Sequence, residues 1–215
     1  MPRYAEITGW GKCMPPAIMT NDDKATVIET SDEWIRTRSG IRERRVSHVP
    51  GSDLAAVAGF RALAAAGATA EEVDLLVLAT CTPDTVIPRT AAPVHRTMRA
   101  VQAAVFDLTA GCSAFISGLA VATAMLRSGG YRKALHIGSE RITWFLNWSL
   151  RDTAVLIGDG AGAVVVEPSE RESGLLASHL GCEGDALDAL LVPNFGTAGN
   201  RFVEDYATFD VMFDG

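Results

Sequence analysis

One segment constrains the fold of this 215-residue chain more than any other: the stretch from Ala104 to Arg127. Ala104 to Leu108 reads as a strand, Thr109-Ala110-Gly111-Cys112 as a sharp turn of small residues, and Ser113 to Arg127 as a helix. Phe115, Ile116, Leu119, Val121, Met125 and Leu126 leave that helix no polar stripe. A helix apolar on nearly every face belongs in the middle of a layered structure, not on its surface.

The rest of the chain repeats this alternation. Ala5 to Gly9, Leu75 to Thr80, Ala134 to Gly138, Ala154 to Ile157, Ala163 to Glu167 and Leu175 to Leu180 read as strands, nearly continuous in apolar content as befits burial on two sides. Asp53 to Ala66, with Ser52 as N-cap and Gly67 as stop, and Thr90 to Arg99 read as helices. Strands alternating with helices predict an α/β layered fold around a parallel or mixed sheet. The chain reads as one compact unit to about Leu180, after which periodicity weakens. A last strand-like run, Thr208 to Phe213, stops just before Gly215, as though more chain were due to follow.

Composition narrows the function. With 48% hydrophobic and 21% charged residues the chain is globular, and its net charge of -7 repels a nucleic-acid backbone. No apolar run reaches the roughly 18 residues of a membrane span, and the N-terminus lacks the basic start and apolar stretch of a signal peptide, so a cytoplasmic protein is expected. The four cysteines, Cys13, Cys81, Cys112 and Cys182, show neither zinc spacing nor a disulfide framework, and no metal site is expected.

Cys112 falls where the buried strand gives way to the apolar helix, within the expected first turn, where unsatisfied N–H groups and the helix dipole favour a thiolate. A buried cysteine closing a tight turn is the commoner outcome of such a local pattern. Arg36, Arg38, Arg42, Arg44 and Arg45 gather guanidiniums fit for a phosphorylated ligand, or equally a solvated basic turn paired with its own Asp and Glu. Gly158, Gly160 and Gly162 mimic part of a dinucleotide fingerprint, but the following Ala163-Val164-Val165-Val166-Glu167 is strand-like where that fingerprint must open a helix. A tight strand connection is the better reading. His48, His95, His136 and His179 have no metal spacing, and His136, inside an apolar run, reads as a hydrogen-bonded core residue.

Phe106 to Phe115 also resembles the nucleophile elbow of the thiolase-like condensing enzymes. Thr30 to Arg44, with its Ser31-Asp32-Glu33-Trp34, Gly158 to Ala163, and Ile7-Thr8-Gly9 with Pro15 are similar to one branch of that superfamily, beta-ketoacyl-[acyl carrier protein] synthase III. The resemblance implies the N-terminal half-domain of a thiolase-like fold over residues 1–180, with a mixed, mostly parallel five-stranded sheet, and a connecting segment over 181–215 toward a second half-domain. It implies that Cys112 takes an acyl group from acyl-CoA, with no resident cofactor. The acyl-enzyme then condenses with malonyl-[acyl carrier protein], releasing CO2 and giving the 3-oxoacyl thioester that begins fatty acid synthesis.

By the same resemblance, Trp34 and Arg151 match the positions that sandwich the adenine of coenzyme A, and Arg38 a neighbouring basic position. Gly158, Gly160 and Gly162 match a structural glycine turn. Ile87, within Val86-Ile87-Pro88, matches the lining of the acyl pocket near a homodimer interface; an aliphatic residue there in place of an aromatic one would admit a longer or branched primer. The family's catalytic His and Asn, and part of its oxyanion hole, belong to the second half-domain and match nothing in this chain. Two other readings stand beside this one: a synthase III-like enzyme of polyketide, quinolone or other secondary metabolism, and a catalytically incomplete half acting as a dimerisation partner.

Overall fold

The computed structural model describes residues 4–185, 190–191 and 212–213. In chain order its strands are β1 (Tyr4–Cys13), β2 (Ala17–Thr20), β3 (Glu43–Val46), β4 (Leu75–Ala79), β5 (Ala104–Leu108), β6 (Ala134–Glu140), β7 (Gly160–Ser169), β8 (Leu190–Leu191) and β9 (Met212–Phe213). The α-helices are α1 (Asn21–Ala25), α2 (Asp32–Ser39), α3 (Gly51–Ala66), α4 (Ala91–Met98), α5 (Ala114–Arg127) and α6 (Arg151–Ala154). They gather into two compact units. The first draws on Met1–Pro15, Ser47–Arg141 and Gly160–Leu180, and the second on Pro16–Val46, Ile142–Asp159 and Gly181–Gly215.

The first unit is built on a five-stranded sheet in the order β1-β7-β6-β4-β5. β4 runs parallel to β5 and β6, while β7 runs antiparallel to β6 and β1. Four strands therefore point one way and β7 alone opposes them, the mixed, mostly parallel sheet expected. Every residue of β4 is buried. Its Leu76 and Leu78 pack with Leu54, Ala58 and Ala62 of α3 and Val94 and Met98 of α4. Leu75 and Val77, on the opposite face by the period of two, pack with Leu119, Ala122 and Leu126 of α5. Gly9 and Gly11 of β1 let α3 lie directly on the strand, because a Cβ at either would run into the α3 backbone at Ala62 and Ala58.

Several expectations need correction here. Helix α3 begins at Gly51, not after a Ser52 cap, and its first N–H groups, of Gly51 and Ser52, donate to the Asp84 carboxylate at 2.8 and 3.1 Å. Its expected stop is in place, with Gly67 left-handed at φ 64°. Leu175–Leu180 forms no strand; its neighbour Gly174 makes a single parallel bridge to Ala5, and Leu176 and Leu180 face solvent. Helix α5 is buried on its sheet side only. Ile116 remains 49% exposed, so the full enclosure inferred from its composition is not provided by the described residues.

In the second unit, β2 and β3 pair antiparallel. Helix α2, which carries Arg36 and Arg38 of the basic run, is capped by the Ser31 side chain accepting from Trp34 N–H and ends on a left-handed Gly40. Ala154–Ile157 was expected as a strand. Ala154 instead closes helix α6, and with the adjoining turn it packs against Leu146, Ile28 and Trp148. A four-residue apolar run fits either a strand or a short buried helix, and Asp152-Thr153 before it favoured the helix. The expected strand Thr208–Phe213 lies outside the described residues except for Met212–Phe213, which pair with Leu190–Leu191. Among the described residues no helix is long and apolar enough to cross a membrane.

Candidate active site

The carboxyl ends of β4, β5 and β6 meet at one edge of the first unit's sheet. Past the last register pair, Ala79 opposite Leu108, Thr80 N–H donates to Leu108 O at 3.2 Å and Thr109 Oγ1 donates to Thr80 O at 2.9 Å. The chain then reverses at Gly111, whose φ of 56° is the left-handed region that glycine adopts without cost. Ala114 N–H closes the turn on Gly111 O at 3.1 Å, and Ser113 Oγ donates to Ala110 O at 2.8 Å. Cys112 sits at the apex, exposed to solvent. With Ser113 as N-cap and Ala114 as first helical residue, Cys112 precedes the helix rather than lying within its first turn. The helix begins one residue later than the expected Ser113.

Behind the turn, His136 of β6 ties sheet to helix. Its Nε2 lies 2.8 Å from Phe115 O in the first turn of α5 and its Nδ1 lies 3.1 Å from Val77 O in β4. Burial pushes its pKa down, against the pull of the two carbonyls. Gly118 makes the contact possible, since a Cβ there would occupy the imidazole's place. His136 is thus the hydrogen-bonded core residue expected.

Two residues not singled out from sequence complete this edge. The Glu140 carboxylate at the end of β6 accepts from Cys81 N–H at 2.7 Å and from Thr82 Oγ1 at 2.6 Å, and burial raises its pKa. Cys81 presents surface to solvent, yet its sulfur is crowded. The thiol is pushed up to about 11, chiefly by desolvation, then by the charges of Glu140 and Cys112, against a lowering pull from Gly111 N–H.

The second unit holds a separate aromatic and basic cluster. The Arg38 and Arg151 guanidinium carbons lie 4.4 and 4.6 Å from the Trp34 ring centroid, at the distance of cation–π contact. A cleft of about 470 Å³ adjoins them, lined by Trp34, Arg38, Asp152, Val155 and Leu156. The other arginines of the basic run do not join this cluster. Arg44 is turned inward, donating to Asn21 Oδ1 and Val155 O at 2.9 Å each. Arg36 pairs with Asp32 at 3.1 Å and Arg45 with Glu43 at 3.4 Å.

The glycine segment departs from the expected turn. Gly160 and Gly162 lie within β7, paired with Glu140 and Gly138, and only Gly158 precedes the strand, where a Cβ would press on Arg44 Cβ at 3.1 Å. Asp159 beside it accepts from Thr143 N–H and Oγ1 at 3.1 and 2.6 Å. Ile87 is 87% exposed, in the connection between β4 and α4, and its bond to Pro88 is cis.

Residues 106–184, which include the Cys112 turn and the glycine segment, match the profile of the family 3-oxoacyl-[acyl-carrier-protein (ACP)] synthase III. A beta-ketoacyl-[acyl-carrier-protein] synthase III 2 of Vibrio vulnificus strain YJ016 is 52% identical over 99% of this chain and 59% of its own. Along nearly its whole length the chain is similar to members of the synthase III family. A second synthase III, from Roseiflexus castenholzii, is 49% identical over 92% of this chain and 60% of its own. The solved synthase III of Aquifex aeolicus VF5 superposes with a TM-score of 0.86 at 40% identity, covering 88% of this chain and 62% of that one. The priming beta-ketosynthase of the R1128 polyketide pathway superposes at 0.92 with 32% identity, over 99% and 64% respectively. The chain therefore spans about 59% of the length of the first synthase III it matches.

Proposed function

We propose that Cys112 is the acyl-accepting nucleophile of a synthase III condensing enzyme and that Trp34, Arg38 and Arg151 receive the adenine end of its acyl-CoA donor. The observation that carries this reading is the exposed thiol at the apex of the β5–α5 turn in a chain similar to this family. A thiolate exchanges with a thioester at little net cost, whereas serine would trap a more stable oxygen ester. Cys112 adds to the thioester carbonyl, the tetrahedral oxyanion collapses, and the coenzyme A thiolate leaves. An indole and a planar guanidinium suit the two faces of a purine, and admitting one requires the exposed Arg151 side chain to swing off Trp34.

Condensation of the acyl-enzyme with malonyl-[acyl carrier protein], at the start of fatty acid synthesis and in a cytoplasmic homodimer, completes the reading. The 52% identity to a synthase III supports it over polyketide priming, which the 0.92 superposition on the R1128 enzyme keeps as the second reading. Ile87 as a lining residue of the acyl pocket, a structural role for Gly158, Gly160 and Gly162, and the division at residue 180 belong to the same proposal. Intact-mass measurement after incubation with acetyl-CoA tests the first step. A single acetyl adduct is expected, absent in Cys112→Ala; an unmodified wild-type protein would count against the assignment and favour a non-catalytic role in dimerisation.

A further inference from the structure

At the edge where β4 and β5 end, each of these neighbouring strands delivers a thiol. The 80–82 and 108–112 segments are joined by the Thr80–Leu108 and Thr109–Thr80 hydrogen bonds, so Cys81 follows directly on one side and the Cys112 turn on the other. Gly111 N–H and the Cys112 thiol both bear electrostatically on the Cys81 thiol, which sets Cys81 beside the Cys112 turn. The Glu140 carboxylate holds the Cys81 main chain at 2.7 Å. Both cysteines are free and exposed.

We propose that Cys81 and Cys112 form a reversible disulfide under peroxide, with Cys112 attacking the peroxide and Cys81 resolving the product. The Cys112 thiolate attacks one oxygen of hydrogen peroxide, the O–O bond breaks, hydroxide leaves, and the sulfur is oxidised to a sulfenic acid. The Cys81 sulfur then attacks the sulfenic sulfur while its proton passes to the Glu140 carboxylate. The S–O bond breaks and the departing hydroxide is protonated to water. In sum, two thiols and one hydrogen peroxide give one disulfide and two waters. The roles follow from surroundings: the crowded Cys81 thiol beside a carboxylate is seldom ionised, so it does not compete for peroxide. The disulfide closes Cys112 to acyl donors and spares it from irreversible sulfinate, and a dithiol reductant reopens it. Its effect on acyl transfer rests on the function proposed above; the bond itself does not.

The test is hydrogen peroxide treatment of the intact chain, alkylation of residual thiols, digestion without reductant and mass spectrometry. The expected product is a peptide pair linked through Cys81 and Cys112, dissolved by dithiothreitol and retained in Cys13→Ser and Cys182→Ser. In Cys81→Ser the link is lost, and Cys112 accumulates as sulfinate at a peroxide dose that leaves the wild type as disulfide. Wild-type Cys112 passing to sulfinate beside an alkylated Cys81, or a link through Cys13 or Cys182, overturns the proposal without recourse to any variant. Reduced wild type incubated with acetyl-CoA separates the two readings. An acetyl adduct with no 81–112 link sinks the disulfide alone, and a link with no adduct sinks the acyl transfer alone.

Discussion

At the scale of single residues, this chain carries two cations whose surroundings determine their behaviour. Lys24 is fully buried with its ammonium 3.6 Å from the Trp148 ring centroid and no hydrogen-bond partner. Burial first, then the neighbouring Arg44, pushes its pKa from 10.5 down to about 8. Between those two values the unfolded chain holds a proton that the folded chain has released, so stability rises with pH from about 8 to 10.5. Lys24→Met is expected to abolish that rise and to stabilise the protein at pH 7, as measured by urea denaturation at pH 7 and pH 9.5; a steeper rise in the variant would contradict the assignment. Arg151 lies on the opposite kind of ground, exposed, with its guanidinium over Trp34, 3.5 Å from Glu29 O and 4.0 Å from the Asp152 carboxylate. Base–aromatic stacking is worth roughly 1–3 kcal/mol, so Trp34→Ala should weaken coenzyme A binding about tenfold in titration calorimetry while leaving alkylation of Cys112 by iodoacetamide unchanged. Equal affinity in wild type and variant would remove Trp34 from the proposed site.

At the scale of elements, helices α3 and α4 are held by side chains borrowed from elsewhere in the sequence. Asp84 caps α3 across 32 residues and Asp107 caps α4, accepting from Thr90 and Ala91 N–H at 3.0 and 2.6 Å. Asp84→Ala should cost about 1–2 kcal/mol, visible as a lower urea midpoint with an unchanged slope; an unchanged midpoint would mean that water replaces the carboxylate. These caps also explain what the sequence disclosed and what it hid. The strands β4 to β7 of the first unit were legible because their apolar runs are nearly continuous, and helix α5 because its apolar run is long and ends at Ser128-Gly129-Gly130. Ser52 was misread as a cap because the true cap is distant. The turn bearing Cys112 was legible from its small residues, but Cys81 and Glu140 were not, since nothing local says that β4 lies between β5 and β6. The sorting of Arg44 from Arg38 likewise depends on which way each side chain turns, which no run of like charges discloses.

At the scale of the whole molecule, the order of strands in the sheet differs from their order in the chain. β1 pairs with β7 and with no other strand of that sheet, and β7 in turn bridges it to β6. Amides of β1 are therefore expected to open together with those of β7 in native-state hydrogen exchange, and β1 opening in step with β4 while β7 stays protected would contradict this dependence. During synthesis, β1 is thus made well before the strand it needs. It must wait until the segment beginning at Gly160 has left the ribosome, an interval of roughly ten seconds or more at ordinary elongation rates. Throughout that interval the backbone N–H and C=O groups that β1 later pairs with β7 have no strand to join, and it is then that a chaperone would have most to shield.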